Sequence, residues 1–214
     1  MLTESQVRGW CLPEGDILSK RAAVRRDLLG ASRCIDRPQF EAIHHDDVGL
    51  LFARYDAVFF STQLTEALAE HETVFRVSRR LKKSAGLTTL TERPGQRTYG
   101  IAIASDLLLG NFDPPGEAVS VAGVPCADRV AGLQIVFEHE LVHLIELLVW
   151  GRTECAADRF GTIAAGVFGH RSTYHQLLPL PALPPRPGRT RPAEPSGFAA
   201  RLSRIWAVIR RPFW

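Results

Sequence analysis

One stretch limits what this chain can fold into more than any other. From Ile135 to Trp150 it reads Ile-Val-Phe-Glu-His-Glu-Leu-Val-His-Leu-Ile-Glu-Leu-Leu-Val-Trp. The run is apolar on almost every side, which is the pattern of a buried helix. Positions four apart share one face of a helix, so His139 and His143 aim their rings at one point. A zinc ion at about 2.0–2.1 Å from each nitrogen fits there. Glu140 stands beside that point, where it can take a proton from a water activated by the metal. Two imidazoles and a carboxylate inside a buried helix are costly without partners, and a bound cation removes that cost. The bland alternative is that both histidines are hydrogen-bonded core or surface groups.

Two histidines supply half of a zinc shell, and a catalytic site takes a third protein ligand and leaves one position open. The residues leave several candidates. Glu154 lies in Glu154-Cys155-Ala156-Ala157-Asp158, an ExxxD pattern on the segment after the helix. Cys155 offers a soft sulfur that zinc accepts well. His170 follows one helix later, and His175 is a weaker choice. Each has a plain structural reading: a first-turn acid for Glu154, a small buried hydrophobe for Cys155, a turn residue for His170. Glu146 shares a face with both histidines and can orient one of their rings from behind.

The rest of the chain supplies a small α+β frame. Asp16 is expected to cap a helix through Ile17, Val24 and Leu28 that Gly30 ends. Asp46 or Asp47 is expected to cap a second, carrying Val48, Leu51, Phe52 and Tyr55. Phe59, Phe60, Leu64 and Leu68 read as a loop and a short helix. Phe75-Arg76-Val77, Leu87 to Thr91, and Tyr99-Gly100-Ile101-Ala102-Ile103 read as three short strands. Turns at Gly86 and Pro94-Gly95 would join them into an antiparallel meander. Asp113 to Pro125, with three prolines and two glycines, reads as a loop. Asp128 is a plausible N-cap for the central helix and Gly151 a plausible stop. A further helix is expected from about Cys155 to Val167.

Composition shifts at Pro179. Seven prolines between there and Pro195 mark an extended linker. Phe198 to Trp214 is then amphipathic and basic. From Arg186 onward there are seven arginines and one acidic residue, against 19 basic and 22 acidic residues before it, so the positive excess is local to this tail. Such a tail suits an anionic membrane surface or nucleic acid; the bland reading is a helix that docks on the protein itself or an unstructured charged end. Four separate cysteines without a CxxC pair argue against a disulfide framework. Met1 to Lys20 has no charged start followed by an apolar run, so no secretory signal is expected and the chain reads as cytoplasmic.

With these pieces in place, residues 48–178 resemble the SprT-like family of zinc metalloproteases, the group that includes the Spartan proteases. The likeness lies in a helix, then Phe75-Arg76-Val77-Ser78-Arg79-Arg80-Leu81 with Ala85-Gly86, then Tyr99 to Ile103, then the His139-to-His143 helix, and Phe160 to His170 ending Phe168-Gly169-His170. The resemblance implies a zincin-like domain with a short antiparallel sheet packed on helices. It implies that His139 and His143 bind zinc, that Glu140 is the general base, and that the substrate is a protein or peptide. The family's third ligand is a histidine in a His-Gly-x-x-Phe context. Phe160 matches the phenylalanine, no histidine lies between Leu144 and Gly169, and Cys155 falls nearest the vacant slot. The expected organisation is a helical extension at 1–45, the metalloprotease domain at 46–178, the linker at 179–197 and the tail at 198–214. The expected activity is zinc-dependent peptide hydrolysis. The competing expectation is an inactive zinc-binding module acting through its tail on DNA or membrane.

Overall fold

The computed structural model describes residues 2–112, 119–174 and 177. The linker and tail, His175, and residues 113–118 lie outside the described residues. The described residues belong to one compact unit. Among the described residues no helix is long and apolar enough to cross a membrane.

The N-terminal segment forms α1 (Glu4–Arg8) and α2 (Glu14–Ala31). Asp16 sits in the first turn of α2 rather than capping it, because Pro13 precedes the helix and pre-sets its entry. Gly30 does not stop α2, which runs on to Ala31. Helix α3 (His45–Phe60) opens on a capping box in which the His44 backbone N–H donates to Asp47 Oδ2 at 2.7 Å. His44, not an aspartate, is therefore the cap residue. Phe59 and Phe60 complete α3 rather than lying in a loop, and α4 (Gln63–Leu68) follows.

The sheet contains β1 (Glu72–Ser78), β2 (Gly86–Arg93) and β3 (Gln96–Ala104) in the order β1-β3-β2. The expected antiparallel meander does not form: β2 is antiparallel to β3, but β1 is parallel to β3. The reason lies in side-chain pattern. In β3 the residues Tyr99, Ile101 and Ile103 are buried and alternate strictly with smaller neighbours, so this strand takes the centre. Strand β2 ends in exposed Glu92 and Arg93, which suit an edge. Pro94 and Gly95, the latter at φ +75°, close the β2–β3 hairpin.

Helix α5 (Ser105–Asn111) comes next, and the segment read as a loop contains a small hairpin, β4 (Val119–Val121) with β5 (Val124–Cys126). Ala122 and Gly123 both have positive φ, the conformation a two-residue hairpin turn demands.

Helix α6 (Arg129–Trp150) is the axis of the molecule. Asp128 caps it by accepting from the Ala131 backbone N–H at 2.9 Å, and Gly151 ends it in the left-handed conformation. Val136, Phe137, Leu141, Val142, Leu144 and Ile145 are completely buried. Helix α6 packs on β2 and β3, while α3 packs on β1 with the Phe52 and Phe75 rings 5.2 Å apart. Helix α2 joins the same core through Arg21, which reaches Glu138, and Arg25, which pairs with Asp128. The last helix among the described residues, α7 (Asp158–Phe168), starts three residues after Cys155 and packs back on α6.

Candidate metal centre

The site is built on the middle of α6 and completed by the segment that turns back after Gly151. His139 Nε2 and His143 Nε2 lie 3.1 Å apart. Cys155 Sγ is 3.7 Å from the first and 3.2 Å from the second. A tetrahedral zinc with bonds of about 2.0–2.1 Å to nitrogen and about 2.3 Å to sulfur spaces its nitrogens by about 3.3 Å and nitrogen from sulfur by about 3.6 Å. The three donors therefore already stand at close to ligand-to-ligand spacing. Two imidazole nitrogens this close need a proton or a cation between them, and the thiolate a metal prefers would add negative charge to the same point.

The surroundings favour positive charge. Burial works against a charged His143 ring, but hydrogen bonds with Cys155 and Glu146, and the Glu140 carboxylate nearby, outweigh it and push its pKa up to about 9. Phe160 is buried against both rings, with centroids 4.7 Å from His139 and 4.6 Å from His143, and limits how they can turn.

Glu140 is 1 % exposed and is held by the sheet. Thr88 Oγ1, on β2, lies 2.7 Å from Glu140 Oε2 and 3.0 Å from its backbone oxygen. The same carboxylate presses on Gly86, where a Cβ would come within 2.4 Å of Oε1. Gly86 is thus the first residue of β2, kept small by the acid opposite, not the expected turn.

Behind His143 stands Glu146, whose side chain is fully buried. Thr153 bridges them: its hydroxyl meets both His143 Nδ1 and Glu146 Oε2. Arg159 Nε donates to Glu146 Oε1 at 2.6 Å and the Glu154 backbone N–H donates to Oε2 at 3.3 Å. Burial raises the Glu146 pKa, but His143, Thr153 and Arg159 together hold it below the usual 4.5.

Among the described residues, the candidates for third ligand take different places. Cys155 joins the two histidines, from the segment before α7 rather than from the expected start of that helix. Glu154 is exposed and contributes only its backbone N–H. His170 is buried on the other side of α6, where its Nε2 meets Glu138 Oε2 at 2.9 Å. Gly169, at φ +66°, turns the chain there as α7 ends.

No family model, curated protein or solved structure matches this chain. The chemistry of the site rests on its own residues.

Glu138 is the residue that pattern reading passed over. It lies between Arg21, which grips both oxygens at 2.8 and 2.7 Å, the Tyr55 hydroxyl at 2.7 Å, and His170. Burial raises its pKa, but Arg21 and His170 hold the carboxyl below the usual 4.5. A signal for this cluster does exist in the chain. Arg21 falls in line with Ile17, Val24 and Leu28, at a core-facing position of α2 where only a paired charge is tolerable. A second group, His44, His45 and Asp46, also brings possible ligand atoms together, but it is exposed and sits where the positive end of α3 opposes a cation.

Proposed function

We propose that this chain is a zinc-dependent metallopeptidase with a zincin-like, SprT-like arrangement, in which His139, His143 and Cys155 hold the metal and Glu140 is the general base. The observation that carries this reading is the convergence of His139 Nε2, His143 Nε2 and Cys155 Sγ, with the Glu140 carboxylate anchored alongside. Two imidazoles and one thiolate are a donor set that zinc takes, with a fourth position left for water or substrate. Zinc, when bound there, supplies a Lewis acid that lowers the pKa of water toward about 7 and polarises a carbonyl.

The chain's own residues do the rest. Glu140 takes the proton of the attacking water and delivers it to the leaving amine. Thr88 keeps one carboxylate oxygen in place during both transfers. Strand β2 pairs with β3 on one side only, among the described residues, and carries both Gly86 and Thr88. An extended peptide added to the outer edge of β2 would pass beside Glu140, held by main-chain hydrogen bonds. Next to Cys155 lies an open hollow of about 680 Å³, lined by Ala156, Asp158, Gly161, Thr162 and Tyr174, with room for a substrate side chain.

The test is elemental analysis of purified protein together with casein cleavage, on the parent chain and Glu140→Gln. One zinc per chain in both, with hydrolysis lost by about 10²–10⁴-fold in the variant, is the expected outcome. Equal cleavage by the variant would remove Glu140 from the mechanism. Stoichiometric zinc without cleavage in the parent would leave a non-catalytic metal module. No zinc in the parent would overturn both readings.

A further inference from the structure

We propose that Thr153 is a positioning residue for the metal centre: its hydroxyl, locked by Glu146, holds His143 in the tautomer that turns Nε2 toward the metal, and the same carboxylate places the Cys155 segment. The proposal rests on the zinc reading above.

The geometry leaves little freedom. A threonine hydroxyl has one proton to give and lone pairs to receive with. Glu146 is buried, and its two oxygens face donors: the Arg159 Nε–H at 2.6 Å on one and the Glu154 backbone N–H at 3.3 Å on the other, so it stands as the acceptor. The Thr153 proton therefore goes to Glu146 Oε2. The hydroxyl oxygen is left facing His143 Nδ1, so that nitrogen must be the one carrying hydrogen. Nε2 is then the nitrogen left to meet a metal, in place of a proton, at the point shared with His139 and Cys155. Left alone, a neutral imidazole samples both tautomers, and one of them would put a hydrogen where the metal belongs.

The carboxylate also acts on the third ligand. Glu146 accepts from Thr153 and from the Glu154 backbone N–H, the two residues before Cys155, and from Arg159 four residues after it. One buried acid thus grips the chain on both sides of the thiol. His143 and Cys155 reach the site from different elements, and Glu146 with Thr153 ties their positions together. Groups behind a metal ligand ordinarily change metal affinity by about 10–100-fold when removed.

The experiment uses the full chain, Thr153→Val and Thr153→Ser. Valine keeps the shape and loses the hydroxyl, while serine restores it. Zinc affinity is measured by competition with a chromophoric chelator, cobalt(II) substitution is followed by its visible spectrum, and the melting temperature of the metal-free protein serves as the fold control. Thr153→Val should bind zinc about 10-fold or more weaker and shift the cobalt bands, and Thr153→Ser should return close to the parent. Parent-like affinity and spectrum in Thr153→Val would overturn the proposal and leave the zinc reading standing. A parent that takes up no zinc would overturn both. If the valine variant does not fold, ¹⁵N-imidazole NMR of the zinc-loaded parent decides: His143 protonated on Nδ1 supports the proposal, and metal bound through Nδ1 rejects it.

Discussion

Glu138 and Glu140 stand two residues apart on α6, and so face nearly opposite sides of it. Both are buried glutamates beside histidines. On one side Glu138 is saturated: Arg21, Tyr55 and His170 fill its acceptor sites and join α2, α3 and the end of α7 to the central helix. On the other side, Glu140 is anchored by Thr88 while the nitrogens of His139 and His143 and the sulfur of Cys155 converge on one point. The first arrangement brings its own cation, Arg21, and needs nothing from outside. The second gathers two imidazole nitrogens, a thiol sulfur and a carboxylate, groups of the kind that a metal cation takes. A buried carboxylate is therefore not evidence of chemistry until its partners are counted.

The widest separation is expected between Glu140→Gln and Glu138→Gln. The first should abolish cleavage while leaving urea unfolding almost unchanged. The second strands the Arg21 charge in the core and should cost about 3–5 kcal/mol of stability, read from the shift in urea midpoint. Zinc affinity of whatever remains folded should stay near that of the parent. A Glu138 variant that unfolds normally but loses metal would erase the distinction.

Gly86→Ala tests the contact between sheet and acid. The new methyl would lie 2.4 Å from Glu140 Oε1 and 2.6 Å from its Cγ, so the carboxylate or the strand must move. Overpacking of this kind should cost about 1–3 kcal/mol, with cleavage falling more than zinc content. Unchanged cleavage would show that Glu140 does not need β2 to hold it.

The smallest effect belongs to the start of α6, away from both clusters. Asp128→Ala removes the cap and should cost about 1 kcal/mol, with zinc affinity unchanged. Burial works against the ionised Asp128, but Arg25 and the Ala131 N–H outweigh it and hold its pKa below the usual 3.8. A lowered folded-state pKa means that its contribution is complete above pH 3.8 and fades as the pH falls below it. The stability gap between parent and variant should accordingly narrow in acid. A gap independent of pH would remove the Arg25 pair and the cap as its source.

The α6 helix, its cap at Asp128, its stop at Gly151 and the pairing of His139 with His143 were all legible from spacing, because a helix imposes its period locally. The strands were legible too, since alternation shows in a few residues. Their order was not: β2 and β3 form a local hairpin, but β1 pairs with β3 across the intervening strand and parallel to it, a contact between separated segments that leaves no local period. The capping box at His44 escaped because two aspartates follow it and either could have served.

The amino-acid sequence by itself determined a buried helix carrying two histidines and a glutamate at metal-binding spacing, on an α+β frame. Only the tertiary structure shows which of Cys155, Glu154 and His170 stands beside the two imidazoles. It brought the thiol of Cys155 to the two imidazoles, left Glu154 exposed, and gave His170 to Glu138. The physical reason is that side chains on one helix are related by its fixed geometry, whereas the approach of a side chain from another segment depends on where the chain turns. Here the left-handed turn at Gly151 and the grip of Glu146 on Thr153, Glu154 and Arg159 make that decision.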